Sequence, residues 1–495
     1  MDITDRAAGA LLGMAVGEAL GAPIEGLTTE EVLDKVGRVE SYLDARRVQP
    51  YGRAGYFQRG VYEDETQLAL VCADVVIRNG GFKPELFRDR LEELGQPIDG
   101  NAFGAFRRAR RNFRTSVKRM LKGAPWTETG VNTAGSGAAS RGVPIGVYYR
   151  DDRDGMVKAS VEAALTTHRD PRAVASCAAT AAAVAAFLKA DPAKVDVKAW
   201  CADVAAAARA AEDLAEKDYA AMLAPGSQSC LHDFSDAVSR LPELIELDIE
   251  AAFERIIKTA APRGSRPITS AVRGFALTAV MSSFWFVLTG LESYDATTYD
   301  AVSEGGSSDT VGALTGALLG ALHGASKIPE PLLAGLKNRE QVELRGRILG
   351  GAPREGLKSL LLLEAALTRP APKPKKKGDA KGGRPAKPAR GRGAARRPAR
   401  ARQPSARVVL KRVGNWLLAS DKEFAPRRLR AQGSQSLAES TRFQSLRSRF
   451  SSEQLFVYFD IERAQQGWAL VVQQEAEERA RAEAAAAANA PPPKP

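Results

Sequence analysis

Histidine is almost absent from the 495-residue chain, which has three. Cysteine is nearly as scarce: Cys72, Cys177, Cys201 and Cys230 are scattered, with no CxxC spacing. This pattern argues against a disulfide framework and against a Cys/His zinc site, so any metal here would be held by oxygen. Aromatic residues make up only 6% of the chain. With alanine and glycine abundant, that favours helices packed closely over small side chains. No stretch reaches the roughly 18 uninterrupted apolar residues of a membrane span. The richest, VGALTGALLGALHGA, is too short and carries His323. The opening MDITDRAAGALLGMAVGEALGA lacks the charged start and continuous apolar core of a signal peptide. A cytoplasmic protein without a membrane partner is the expectation.

The net charge of +12 suggests nucleic acid until it is mapped. Residues 369–407 hold 15 Lys/Arg against one acid, Asp379, a net +14 that leaves −2 for everything else. This Lys/Arg/Pro/Ala-rich stretch cannot bury a core and is expected to be disordered. It reads either as a solvated linker or as a tether for nucleic-acid phosphates. No aromatic residue is interleaved to read bases. The expected organisation is a mostly helical domain over 1–366 and a linker over 367–407. A small α/β module over 408–473 follows, then a charged Ala-rich helix and Pro-rich tail over 474–495. The module's strands are VVLKRVGNWLLAS and EQLFVYFDIE, with a helical segment near 437–449 between them.

Within 1–366 two helices share a stripe. Gly9, Gly13, Gly17 and Gly21 fall every four residues, as do Gly312, Gly316, Gly320 and Gly324. A glycine inside a helix costs up to about 1 kcal/mol against alanine, so the stripes imply close helix–helix approach. Acids mark the ends that such an approach would bring together: Glu18 and Glu25 close the first stripe, Glu304 and Asp309 precede the second. A third acidic group stands in VYEDETQLAL, where Glu63, Asp64 and Glu65 lead an apolar pattern at Leu68, Val71, Cys72 and Val75. Three adjacent carboxylates there either complement the positive end of a helix dipole or hold a cation. GVNTAGSGAASRG is a glycine-rich turn whose N–H groups suit a diphosphate, although most such turns bind nothing. THRDPRAVA places His168 and Asp170 before Pro171, with Asp170 suited to a helix cap.

Taken together and in this order, the motifs resemble the ADP-ribosylglycohydrolases, the family that includes dinitrogenase-reductase-activating glycohydrolase. The resemblance runs from about residue 5 to 366. It is carried by GALLGMAVGEALGAPIE, VYEDETQLAL, GSGAASRGVPIG, THRDPRAVA and GGSSDTVGALTGALLGA. It implies an all-α bundle with two magnesium or manganese ions in a central cleft. It places Glu63, Asp64, Glu65, Ser307, Asp309 and Thr310 at metal-ligand positions and Glu25 on a mobile loop near the scissile bond. Gly135, Ser136 and Gly137 match a diphosphate-binding turn, and His168 a histidine lining the cleft. The chain departs from the family pattern where Glu63 replaces threonine, Glu65 replaces aspartate, Ser307 replaces an acid and Glu18 replaces a usual aspartate. Formal charge near the ions is thus expected to be roughly kept while its placement changes.

The implied reaction is hydrolysis at the anomeric carbon of ADP-ribose through an oxocarbenium-like transition state, with Glu25, Asp64 and Asp309 as catalytic groups. The partner would be an ADP-ribosylated protein or another ADP-ribose conjugate. Two other classes remain: a binder of ADP-ribose without turnover, and a nucleic-acid adaptor acting through 369–407.

Overall fold

The computed structural model describes residues 2–49, 58–98, 101–264 and 267–368, and three short strands farther on. The chain divides into two units, Met1–Lys373 and Pro374–Pro495. The first is an all-α bundle. Among its described residues the β contacts are two single bridges, Ile98 with Asn101 and Val131 with His168.

Its axis is a pair of helices. The opening helix, Ile3–Gly21, begins where the Asp2 carboxylate accepts the Thr4 N–H at 2.8 Å. Every residue from Arg6 to Gly21 is buried, as expected of a helix with no polar face. The closing helix, Ser308–His323, is buried from Ser308 to Leu322. The two run antiparallel with their glycine stripes facing. Gly9, Gly13, Gly17 and Gly21 lie against the backbone carbonyls of Gly320, Gly316, Gly312 and Ser308, and a Cβ at any of the four would overlap the opposing oxygen. This contact sets the site, because it seats Gly21 beside Ser308 and Asp309.

Three further elements complete the surroundings. The acid-led helix, Asp64–Asn79, is tied to the helix Arg339–Leu349 by the fully buried Arg345, whose Nε lies 2.7 Å from Asp74 Oδ1. The Ala-rich helix Pro171–Lys189 packs on the closing helix and over Gly142 and Gly146, where added side chains would strike its backbone. This helix and the opening one are long and apolar enough to cross a membrane, yet both are buried within the bundle. Finally, the short helix Leu360–Thr368 buries Leu360, Glu364 and Thr368 at intervals of four. Glu364 is wholly buried. It meets Arg107 Nη2 at 2.7 Å, the Tyr62 hydroxyl at 2.6 Å and Gln67 Nε2 at 2.8 Å. One carboxylate therefore binds together the segments on either side of the site.

In the second unit, β1 (Val409–Val413), β2 (Trp416–Ser420) and β3 (Val457–Asp460) form an antiparallel sheet in that order. The stretch read above as one strand over 408–420 contains two paired strands, Val413 opposite Trp416. The helical part of the expected α/β module, the tail, and the basic linker with its nucleic-acid tether lie outside the described residues.

Gly17→Ala tests the axis. Helix propensity alone would make alanine more stable by about 1 kcal/mol. Overpacking against Gly312 costs about 1–3 kcal/mol, so a net loss is expected. Denaturant unfolding of the variant should show a lower midpoint; a rise would mean that the stripes are not in backbone contact.

Candidate active site

Close packing of the two glycine helices places Glu18 near the end of one and Asp309 and Thr310 at the start of the other. Glu18 is fully buried, and its carboxylate accepts the N–H groups of Glu65 and Thr66, both at 3.0 Å. It thus caps the acid-led helix from outside. The helix-dipole role is taken by Glu18, and Glu63 makes no side-chain cap. Thr310 Oγ1 donates to Glu65 Oε1 at 2.7 Å, which joins the closing helix to the same cluster.

The acids form two groups. In the first, Glu18, Asp64 and Glu65 each bring a carboxylate oxygen within 4.8 Å of the others; in the second, Glu25, Glu63 and Asp309 do so. Glu25 reaches the second group because its loop is stitched to the turn before the closing helix. Gly26 N–H donates to Gly306 O at 2.6 Å, and Gly306 N–H to Leu27 O at 2.8 Å. Gly305 and Gly306 hold φ of 69° and 60° there, a conformation that suits glycine.

The two groups differ in what neutralises them. In the first, Asp64 Oδ1 and Glu65 Oε2 are buried without a hydrogen-bond partner. Burial, and then the neighbouring Glu65 carboxylate, push Glu18 well above the ordinary carboxylate range. Asp64 is displaced the same way by burial and by Glu65, against the pull of Arg110. Like charges sharing a dry site behave so. In the second group guanidinium ions are present. Arg108 Nη1 pairs with Glu25 and lies 3.4 Å from Glu63 Oε2. Arg110 Nη2 lies 2.6 Å from Glu25 Oε1 and 2.5 Å from Asp309 Oδ2. Burial would raise Asp309, but Arg110 and Arg108 outweigh it and hold its carboxyl below the ordinary range.

The family's cations can be tested against these groups. Glu18, Asp64, Glu65 and Thr310 fit one hard cation, since they offer oxygens only and two of those are buried without partners. The second group holds a guanidinium between each pair of carboxylates it bridges and has a hydroxyl, Ser307, where the family has an acid. The Ser307 and Ser136 hydroxyls and the Arg110 guanidinium converge on Gly274, where an added Cβ would lie 2.9, 3.8 and 3.1 Å from them.

Beside the acids opens a cavity of ≈ 790 Å³. Asp64, Glu65 and Arg110 line one side, and Gly135, Ser136, Gly137 and His168 also face it. An added Cβ on Gly135 would lie 3.5 Å from His168 Nε2 and one on Gly137 3.9 Å from His168 Cε1, so both glycines pass close over the ring. Burial and then the charge of Arg141 push His168 down to about 3, leaving the imidazole neutral. Its Nδ1 shares a hydrogen with Thr167 Oγ1 at 2.8 Å. Asp170 is the cap expected of it. It accepts the Arg172 N–H at 3.0 Å and pairs with that guanidinium at 2.7 Å.

Of the expected residues, Asp64, Glu65, Gly135, Ser136, Gly137 and His168 line this cavity, while Glu25, Glu63 and Asp309 form the second acidic group and Thr310 meets Glu65. Sequence reasoning missed the cavity's cations. Arg110, Arg111, Arg141, Arg172, Arg263 and Arg273 all line the cavity. A signal existed: FRRARRNFR puts five arginines in the eight positions from Arg107 to Arg114, in a domain that is otherwise net negative.

The ADP-ribosylglycohydrolase sequence model matches residues 1–358. An uncharacterized protein of Archaeoglobus fulgidus is 26% identical over 333 residues, 67% of this chain and 92% of its own. The ADP-ribosylarginine hydrolase Tri1 of Serratia proteamaculans is 26% identical over 356 residues, 71% of this chain and 81% of its own. The ADP-ribosyl-[dinitrogen reductase] glycohydrolase of Rhodospirillum rubrum is 27% identical over 175 residues, 35% of this chain and 55% of its own. The chain belongs to the ADP-ribosylglycohydrolase family. The helix Leu360–Thr368, with its buried Glu364, begins just past the matched region.

Glu18→Gln tests the electrostatics. Glu18 is raised in the folded state, so its contribution to stability is present below about pH 4.3, the unfolded value, and is lost as pH rises through the folded one. Glutamine carries no charge and still accepts one N–H. In chelator, the melting temperature of the variant should therefore gain on the parent from pH 5 to pH 8. A difference that does not change with pH would contradict the crowding.

Proposed function

We propose that this domain hydrolyses the glycosidic bond of an ADP-ribose conjugate, most directly an ADP-ribosylated protein side chain. The observation that carries this reading is a single cavity with buried carboxylates on one side and a glycine turn, a neutral histidine and arginines around it. An ADP-ribose unit needs both: donors for its diphosphate, and acids for the hydroxyls and developing positive charge of its ribose.

The Gly135–Gly137 turn and the cavity arginines supply the donors. Glu18, Asp64, Glu65 and Thr310 would hold a divalent cation, Mg²⁺ or Mn²⁺, which supplies positive charge and Lewis acidity when bound. Asp64 lines the cavity and, held ionised by the bound cation, would accept a proton from the attacking water. The water oxygen bonds to the anomeric carbon as the bond to the side-chain nitrogen breaks. That nitrogen leaves with the bonding electron pair and takes up a proton, so one water is consumed and ADP-ribose and free side chain are released. The oxocarbenium character of the transition state is met by the Glu65 carboxylate, which lines the same cavity. Glu25, paired with two arginines, serves to orient.

Removing the Asp64 charge should leave binding largely intact and stop turnover. Asp64→Asn is expected to lower ADP-ribose release from ADP-ribosylated arginine by about 10²–10⁴-fold. Release is followed by chromatography, and ADP-ribose affinity by calorimetry on the same protein. Binding by the parent with no release under any metal condition would overturn hydrolysis in favour of an ADP-ribose-binding role.

A further inference from the structure

The two acidic groups lie side by side and differ in one respect. The first meets backbone N–H groups and the Thr310 hydroxyl, and among the described residues no guanidinium pairs with it. The second has two guanidinium ions in contact with it. Each guanidinium does what a bound cation does: it bridges carboxylates from different parts of the chain. Arg108 joins Glu25, after the opening helix, to Glu63, before the acid-led helix. Arg110 joins Glu25 to Asp309, at the head of the closing helix. Three carboxylates against two guanidinium ions leave one net negative charge, and Ser307 adds none where the family has an acid.

These arginines are built into place. Arg108 has φ of 53°, a conformation that a residue with a side chain keeps only where its surroundings enforce it. Its neighbour Arg107 is fully buried and is held by Glu364 at 2.7 Å and by the Tyr62 carbonyl at 2.7 Å. Arg110 immediately precedes the helix Arg111–Met120 and lines the substrate cavity. A guanidinium does not lose its proton in a protein, so a divalent ion entering here must push a fixed charge aside.

We propose that Arg108 and Arg110 take the place of a second metal ion, and that this chain holds a single divalent cation, at Glu18, Asp64, Glu65 and Thr310. The arginines supply the second ion's charge permanently. Arg110 then presents its guanidinium to the hydroxyls or phosphate of a substrate in the cavity. This inference rests on the functional reading above for its catalytic meaning, but its count of ions does not.

The test is manganese titration into metal-free full-length protein, by calorimetry with electron paramagnetic resonance on the same samples. One Mn²⁺ per chain and the spectrum of an isolated ion are expected. Two ions per chain, a spin-coupled pair, or no binding would each overturn the proposal, and this arm needs no variant. Then Arg108→Gln with Arg110→Gln and Ser307→Asp frees the second group and restores its acid. The triple variant should take up a second ion at least about tenfold more tightly than the parent, with spin coupling. If it still binds only one, the arginines are not what fills the position. ADP-ribose release at saturating Mn²⁺ separates the two readings. Release with two ions per chain sinks this proposal alone. One ion without release sinks the hydrolytic reading and leaves the ion count standing.

Discussion

Contact between two glycine stripes is the constraint on which the rest depends. Four residues of the opening helix touch carbonyl oxygens of the closing helix with no side chain between. Ordinary helix pairs stand 8–10 Å apart because side chains separate them. Here the separation is set by backbone at four successive glycines, from Gly9 to Gly21. The ends of the helices are therefore placed by the hardest contact available to a protein, and those ends carry Glu18, Asp309 and Thr310. A site made of like charges needs such a scaffold, because the charges themselves push it apart.

Charge balance is the second theme. Six carboxylates gather in two groups of three, Glu18, Asp64 and Glu65 in one and Glu25, Glu63 and Asp309 in the other. Two guanidinium ions meet half of them. Asp309 lies below the ordinary carboxylate range and Asp64 well above it, although both are buried. The difference comes from neighbours: Asp309 has an arginine in contact, and Asp64 has Glu65. The site thus contains one group largely neutralised by arginines and one that calls for a cation.

Much of this was legible in the sequence, for identifiable reasons. Glycine at a spacing of four has few explanations, so the close helix pair could be read from Gly9–Gly21 and Gly312–Gly324. VYEDETQLAL announced a buried acidic start to a helix because apolar periodicity follows it directly. The geometry of Glu18 was not legible. Nothing in GMAVGEALG says that its carboxylate caps a helix 47 residues further on. The arginines were missed because charge was averaged over long segments, and FRRARRNFR reads as a solvated face until the fold turns it inward. Glu364 was hidden for a similar reason: its burial depends on Arg107 and Tyr62, which are distant in sequence. In the second unit the sheet departs from the reading because the stretch read as one strand forms two paired strands, Val413 opposite Trp416.

The measurement that bears most directly on the account is a crystal structure of the protein grown with Mn²⁺, with anomalous scattering used to locate manganese. The account predicts one anomalous peak per chain, bounded by Glu18, Asp64, Glu65 and Thr310, with the Arg110 guanidinium between Glu25 and Asp309. A second peak among Glu25, Glu63 and Asp309, with Arg108 and Arg110 swung away, would contradict it.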